Sequence, residues 1–173
     1  MKLIALIVAL GLVSTAAHAE IVESTPNGFG VRHQLVIDGP AQTVYDALIK
    51  PGTWWNAQHT WSGDAKNMTI DAHPGGCFCE ALPNNGGIEH LRVVSVQPGK
   101  GLRMFGGLGP LQFTGASGFL NVSLTEKDGK TTFTATYDVG GYAKGGLDKW
   151  SQPVDGVLAE QYGRLKAAVE GRK

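Results

Sequence analysis

The chain has 173 residues, with 15 lysines and arginines against 15 aspartates and glutamates. A neutral chain without a basic run is a poor partner for nucleic acid or an anionic membrane. Its 25 glycines follow no period, which excludes collagen-like and low-complexity classes, and two cysteines are too few to staple a miniprotein.

Met1 and Lys2 give a short positive start, Leu3 to Val13 is apolar, and Ala17-His18-Ala19 is a small-x-small cleavage signal before Glu20. This reads as a secretory signal peptide over residues 1–19, its apolar run too short to span a bilayer. Residues 20–173 then form one periplasmic or secreted domain with no membrane segment after cleavage.

Phe29 to Ile37 alternates, with Phe29, Val31, Leu35 and Ile37 in one row together with His33. That spacing predicts a half-buried strand in which His33 is a core histidine. Gly39-Pro40 ends it. Pro40 to Ile49 reads as a short helix, broken by Pro51-Gly52, with one further turn at Thr53–Asn56 and a loop from His59 to Asp64. Strand signals follow at Met68–Ala72, Gly76–Leu82, Ile88–Gln97 and Leu102–Phe105. A five-residue turn over Pro83–Gly87 joins the middle two. Gly106–Pro110 lacks the lysine, hydroxyl and following helix of a phosphate loop, and no cofactor is expected.

Phe119–Glu126 and Thr131–Val139 flank Lys127-Asp128-Gly129-Lys130, a strong hairpin signal. Setting Lys127 opposite Lys130 pairs Leu124 with Phe133, Val122 with Ala135 and Leu120 with Tyr137, all apolar. The chain closes on a long helix with Ser151 as N-cap, Pro153 in the first turn, and a stripe of Val154, Val157, Leu158, Tyr162, Leu165 and Val169. Grouped strands with helices at the ends predict an α+β fold.

That order, with certain residues, resembles the START-related (SRPBCC) helix-grip superfamily, which includes polyketide cyclase/dehydratase-like and chaperone-ATPase-activator-like domains. The matching pieces are residues 38–48, Trp54-Trp55, Gly75-Gly76-Cys77-Phe78, residues 94–102 and the helix around Gln161 to Leu165. The resemblance implies a curved antiparallel sheet wrapped around a long C-terminal helix, with short helices after the first strand and a cavity between sheet and helix. It also implies a small hydrophobic ligand, lipid- or polyketide-like. A signal peptide discounts ATPase activation, because ATP is absent outside the cytoplasm.

Within that frame the candidate ligand-binding residues are Trp55, Trp61, Arg92, Tyr137, Tyr142, Trp150 and Tyr162, an aromatic set suited to an apolar pocket. The candidate acid–base residues are His90, Glu80 and His59. A symmetric turn would set Glu80 opposite His90, with Arg92 on the same face as Phe78, Val94 and Val96; Cys77, Cys79, Leu91 and Val93 would take the other face. Only one face can look inward, and burial statistics favour the cysteine row. Cys77 and Cys79 are either a disulfide, near the upper limit of reach at about 6.6 Å on a strand, or two small buried residues. The primary reading is a ligand-binding protein. The alternatives are a cyclase/dehydratase-like enzyme using a His/Glu pair, and a Cys/His metal-binding protein. The spacing matches no familiar zinc signature, and no metal site is assigned.

Overall fold

The computed structural model describes residues 18–171; the predicted signal-peptide residues 1–17 lie outside the described residues. Eight strands, β1 (His18–Thr25), β2 (Gly28–Asp38), β3 (Met68–Ile70), β4 (Cys77–Leu82), β5 (Gly86–Gln97), β6 (Gly101–Gly106), β7 (Gly115–Lys127) and β8 (Lys130–Tyr142), form one antiparallel sheet. Its order is β1-β2-β8-β7-β6-β5-β4-β3. Helix α1 (Ala41–Leu48) follows β2, and α2 (Asp148–Val169) closes the chain. This is an α+β helix-grip architecture. Among the described residues no helix is long and apolar enough to cross a membrane.

The β7–β8 hairpin forms in the expected register, with Leu124 opposite Phe133, Val122 opposite Ala135 and Leu120 opposite Tyr137. Asp128 and Gly129 both take positive φ (53° and 72°), the conformation a two-residue hairpin turn requires. Further along the same pair, a Cβ on Gly118 would lie 2.2 Å from the Asp138 carbonyl oxygen, so the strands approach too closely there for any side chain.

One face of the sheet presents Val31, Ile37, Phe133, Ala135 and Tyr137 to the core. Helix α2 packs over β1 and β2 and buries Leu158, Tyr162 and Leu165. The apolar stripe predicted for this helix is therefore the buried one, but Val154 and Val157 stay only half-buried. At that end Val154 and Val157 line a cavity, Val154 also packing against the core.

Three expectations need correction. The final helix starts at Asp148, capped by Leu147, because fully buried Leu147 pins the chain one turn early. Ser151 is thus not the N-cap; its hydroxyl donates to the Asp148 carbonyl, and Pro153 falls in the second turn. Strand β1 was not expected, since its residues carry the cleavage signal and an exposed Ile21-Val22 rather than a buried alternation. The turn between β4 and β5 is Pro83-Asn84-Asn85, with Leu82 paired to Gly86, not the five-residue turn expected. Asn84 and Asn85 supply its positive φ values (58° and 60°).

Candidate functional site

The shorter turn shifts the β4–β5 register, and the chain restores it with a bulge. Cys79 pairs with Glu89 and Phe78 with Leu91, which leaves His90 as the extra residue. His90 and Leu91 consequently both turn inward, where strict alternation would separate them. Phe78, Glu80, His90, Leu91 and Val93 face the core; Cys77, Cys79, Arg92 and Val94 face outward. Neither of the two faces drawn from strict alternation survives intact.

Glu80 is 1% exposed and His90 4%. The Glu80 carboxylate accepts hydrogen bonds from the Ser62 N–H (2.5 Å), the Trp61 N–H (3.2 Å) and His90 Nε2 (3.0 Å). Burial pushes its pKa up, but the Ser62, Trp61 and His90 hydrogen bonds outweigh burial and hold it below the ordinary carboxylate value. Glu80 is therefore a buried anion. A carboxylate only accepts, so His90 Nε2 carries the proton and Nδ1 keeps its lone pair. Gln112 Nε2 donates toward that lone pair at 3.4 Å. Burial lowers the His90 pKa against the opposing pull of Glu80, so the imidazole is neutral at pH 7. Its ring also packs on Phe78, 5.2 Å between centroids.

His90 forms part of the wall of a cavity of about 330 Å³. Trp55, Trp61, Leu108, Leu111, Trp150 and Leu158 supply most of the apolar lining, with Val154 and Val157 from α2. Gln58, His59 and Thr60 supply polar atoms. The 55–61 segment is tied to α2: the Asn56 N–H donates to Gln161 Oε1 (2.8 Å), and His59 Nε2 lies 3.0 Å from Glu160. The Trp55 indole N–H donates to the His59 carbonyl (3.0 Å). Opposite, the Tyr137 hydroxyl donates to the Gly106 carbonyl (2.8 Å) and accepts from the Leu108 N–H (3.1 Å), fixing the glycine-rich loop against the cavity. Burial pushes the Tyr137 pKa up to about 12, which keeps that hydroxyl a donor.

The candidate residues divide accordingly. His90, His59, Trp55, Trp61 and Trp150 line the cavity, with Glu80 directly behind His90. His59 is not joined to the Glu80–His90 pair; its partner is Glu160, and both are partly solvated. Arg92 lies on the outer face with Glu89 (2.6 Å), because the bulge sends it outward. Tyr142 is also outward, 71% exposed, in the last pair of β8, opposite Gly115. Tyr162 is a core residue, its ring on Phe133 and His33. Tyr137 is likewise buried and acts through the loop it holds. His33 is buried as expected, with Nε2 3.2 Å from Asp155.

Cys77 and Cys79 are joined in a disulfide with Cα atoms 5.4 Å apart. Neither sulfur is a thiolate free to bind metal, which removes the Cys/His metal reading. Among the described residues no three metal-ligating side chains gather at one point. Sequence reasoning missed Gln112, Leu108 and Leu111, which come from the 106–113 segment. Their only signal was the glycine-rich loop itself, which is equally consistent with a plain turn.

The sequence matches no protein-family model and no curated relative. Solved structures do share the fold. CalU16 from Micromonospora echinospora superposes with a TM-score of 0.59 at 13% identity, over 91% of this chain and 85% of that one. The Aha1 dimer from Colwellia psychrerythraea gives 0.55 at 17%, over 82% and 96%. DynU16, from the dynemicin biosynthetic locus, gives 0.55 at 18%, over 82% of this chain and 47% of that one. At these identities the likeness is one of fold, and fold alone does not fix function. The chain has the α+β helix-grip fold that these structures share.

Proposed function

We propose that this chain is a periplasmic or secreted carrier of a small hydrophobic molecule, with residues 1–19 as its signal peptide and residues 20–173 as the mature domain. The cavity beneath the N-terminal half of α2 carries this reading. Its lining is mostly indole, leucine, valine and proline, and its volume of about 330 Å³ suits a ligand of a few fused or linked rings. The half-buried Val157 supports it, since it lies on the apolar stripe of α2 and faces the cavity rather than the core cluster.

A titration with the neutral fluorophore N-phenyl-1-naphthylamine tests the reading. Val157→Trp puts an indole into the cavity while leaving Leu158, Tyr162 and Leu165 in the core. Saturable binding by the natural chain, weakened roughly tenfold or more in Val157→Trp, is expected from the loss of a pocket worth at least 1.4 kcal/mol. Equal affinity in both proteins would sink it.

A second reading, an enzyme of the cyclase/dehydratase type, draws support from the Glu80–His90 pair on the cavity wall. A neutral imidazole backed by a carboxylate suits general acid–base work.

A further inference from the structure

The Glu80–His90 pair sits oddly in a cavity built only to hold hydrocarbon. A buried carboxylate carries a full charge, and among the described residues no lysine or arginine lines the cavity to balance it. Among the described residues the polar side chains in the wall, besides the tryptophans, are Gln58, Thr60, His90 and His59, the last 3.0 Å from the partly exposed Glu160 carboxylate. A ligand that arrives as an anion finds no cation and two carboxylates nearby. A ligand that arrives neutral, with a proton to give, finds the His90 imidazole in the wall, its unprotonated Nδ1 met by Gln112.

We infer that the cavity takes a phenol or enol, and that the Glu80–His90 pair accepts its hydroxyl proton. The step is a single transfer: the ligand O–H bond breaks, the proton forms a bond to His90 Nδ1, and the electron pair stays on the ligand oxygen. The imidazolium then lies between the Glu80 carboxylate on Nε2 and the ligand oxyanion on Nδ1. The total charge inside the site does not change, so the desolvation that disfavours an isolated imidazolium is offset by a counter-charge made in the same step. Gln112 Nε2, which donates toward Nδ1 at 3.4 Å, is released by that protonation and becomes available to donate to the oxyanion. Flat aromatic walls from Trp55, Trp61 and Trp150 suit a planar phenolic ring. The inference rests on the cavity being a ligand site and names the ligand's chemical class.

The test pairs 4-nitrophenol with its methyl ether, 4-nitroanisole, which has the same ring and no hydroxyl. Affinities are measured by calorimetry, and ionisation by the visible band of the nitrophenolate. The pH is set one unit below the phenol's own pKa in water, where about a tenth of the free phenol is ionised. The expected result is that 4-nitrophenol binds roughly tenfold tighter than 4-nitroanisole, the worth of one charge-assisted hydrogen bond. More than half of the bound phenol should show the phenolate band. In His90→Phe the preference and the band should vanish, with far-UV circular dichroism like that of the natural chain showing that the variant is folded. Equal affinity for the two ligands, or bound phenol without the phenolate band, would overturn the proton-accepting assignment and leave the carrier reading standing. Binding of neither compound would overturn both. The natural chain alone decides these outcomes should His90→Phe fail to fold.

Discussion

Glu80→Gln keeps the shape of the buried side chain and removes its charge, and the structure sets what that does to stability. One carboxylate oxygen receives the Ser62 N–H; the other receives the Trp61 N–H and His90 Nε2. An amide offers one oxygen and one NH2. If its oxygen faces Trp61 and His90, the NH2 confronts the Ser62 N–H. If its oxygen faces Ser62, the NH2 confronts the Trp61 N–H, and His90 must change tautomer. Either way at least one buried N–H loses its acceptor, at about 1–3 kcal/mol, and the remaining bonds lose their charge assistance. The expected loss is about 3 kcal/mol at pH 7, or roughly 6–12 °C in Tm for a domain of this size. The sign of the pH dependence is also fixed. The Glu80 pKa is depressed in the fold, so its contribution is present above the ordinary carboxylate value and declines as pH falls toward the folded value. Urea unfolding of both proteins at pH 7 and again near pH 3.5 checks this, and the gap between them should narrow in acid. A loss under about 1 kcal/mol at pH 7, within the range of a surface substitution, or a gap that is unchanged in acid, would refute the account of Glu80 as a buried, multiply bonded anion.

Two further outcomes follow from the packing. Burial lowers the pKa of both His33 and His90, so the fold favours their neutral forms; that stability is complete above about pH 6.5 and falls as acid protonates the unfolded chain, by up to about 1.4 kcal/mol per pH unit for each histidine. Thermal melts between pH 7 and 5 should show the decline, and His33→Leu should flatten it. Gly118→Ala forces a Cβ to 2.2 Å from the Asp138 carbonyl oxygen and should cost more than about 3 kcal/mol in chemical denaturation, whereas Gly156→Ala, open on the surface of α2, should add about 0.5–1 kcal/mol.

The parts of the fold legible in the sequence are those fixed by local rules. Asp128-Gly129 sets a hairpin whose register the apolar pairs repeat, and the stripe from Leu158 to Leu165 has one helical face to bury. Strand β1 was hidden because an edge strand can leave Ile21 and Val22 exposed, which removes the alternation that marks a strand. The site was half legible. Glu80 and His90 do meet, but through a bulge rather than a symmetric turn, and nothing in the residue pattern of β5 announces an extra residue. Leu91 and Val93 lie inside and Arg92 and Val94 outside, as burial statistics favoured, but the bulge puts Phe78 and Glu80 inside with them and turns Cys77 and Cys79 outward. Tyr162 and Tyr142 failed for a different reason. An aromatic residue on the right element is equally suited to core, cavity or surface, and only packing separates these.

The bulge has a consequence for how such a site could arise. With His90 set aside, the pairs Cys79–Glu89 and Phe78–Leu91 run on as an unbroken ladder, and the in-out order is regular from Ile88 to Val93. The imidazole is a surplus residue, spliced into a sheet that is complete without it. A scaffold of this kind can acquire or lose its reactive group by one codon inserted or deleted, with no neighbour changing face.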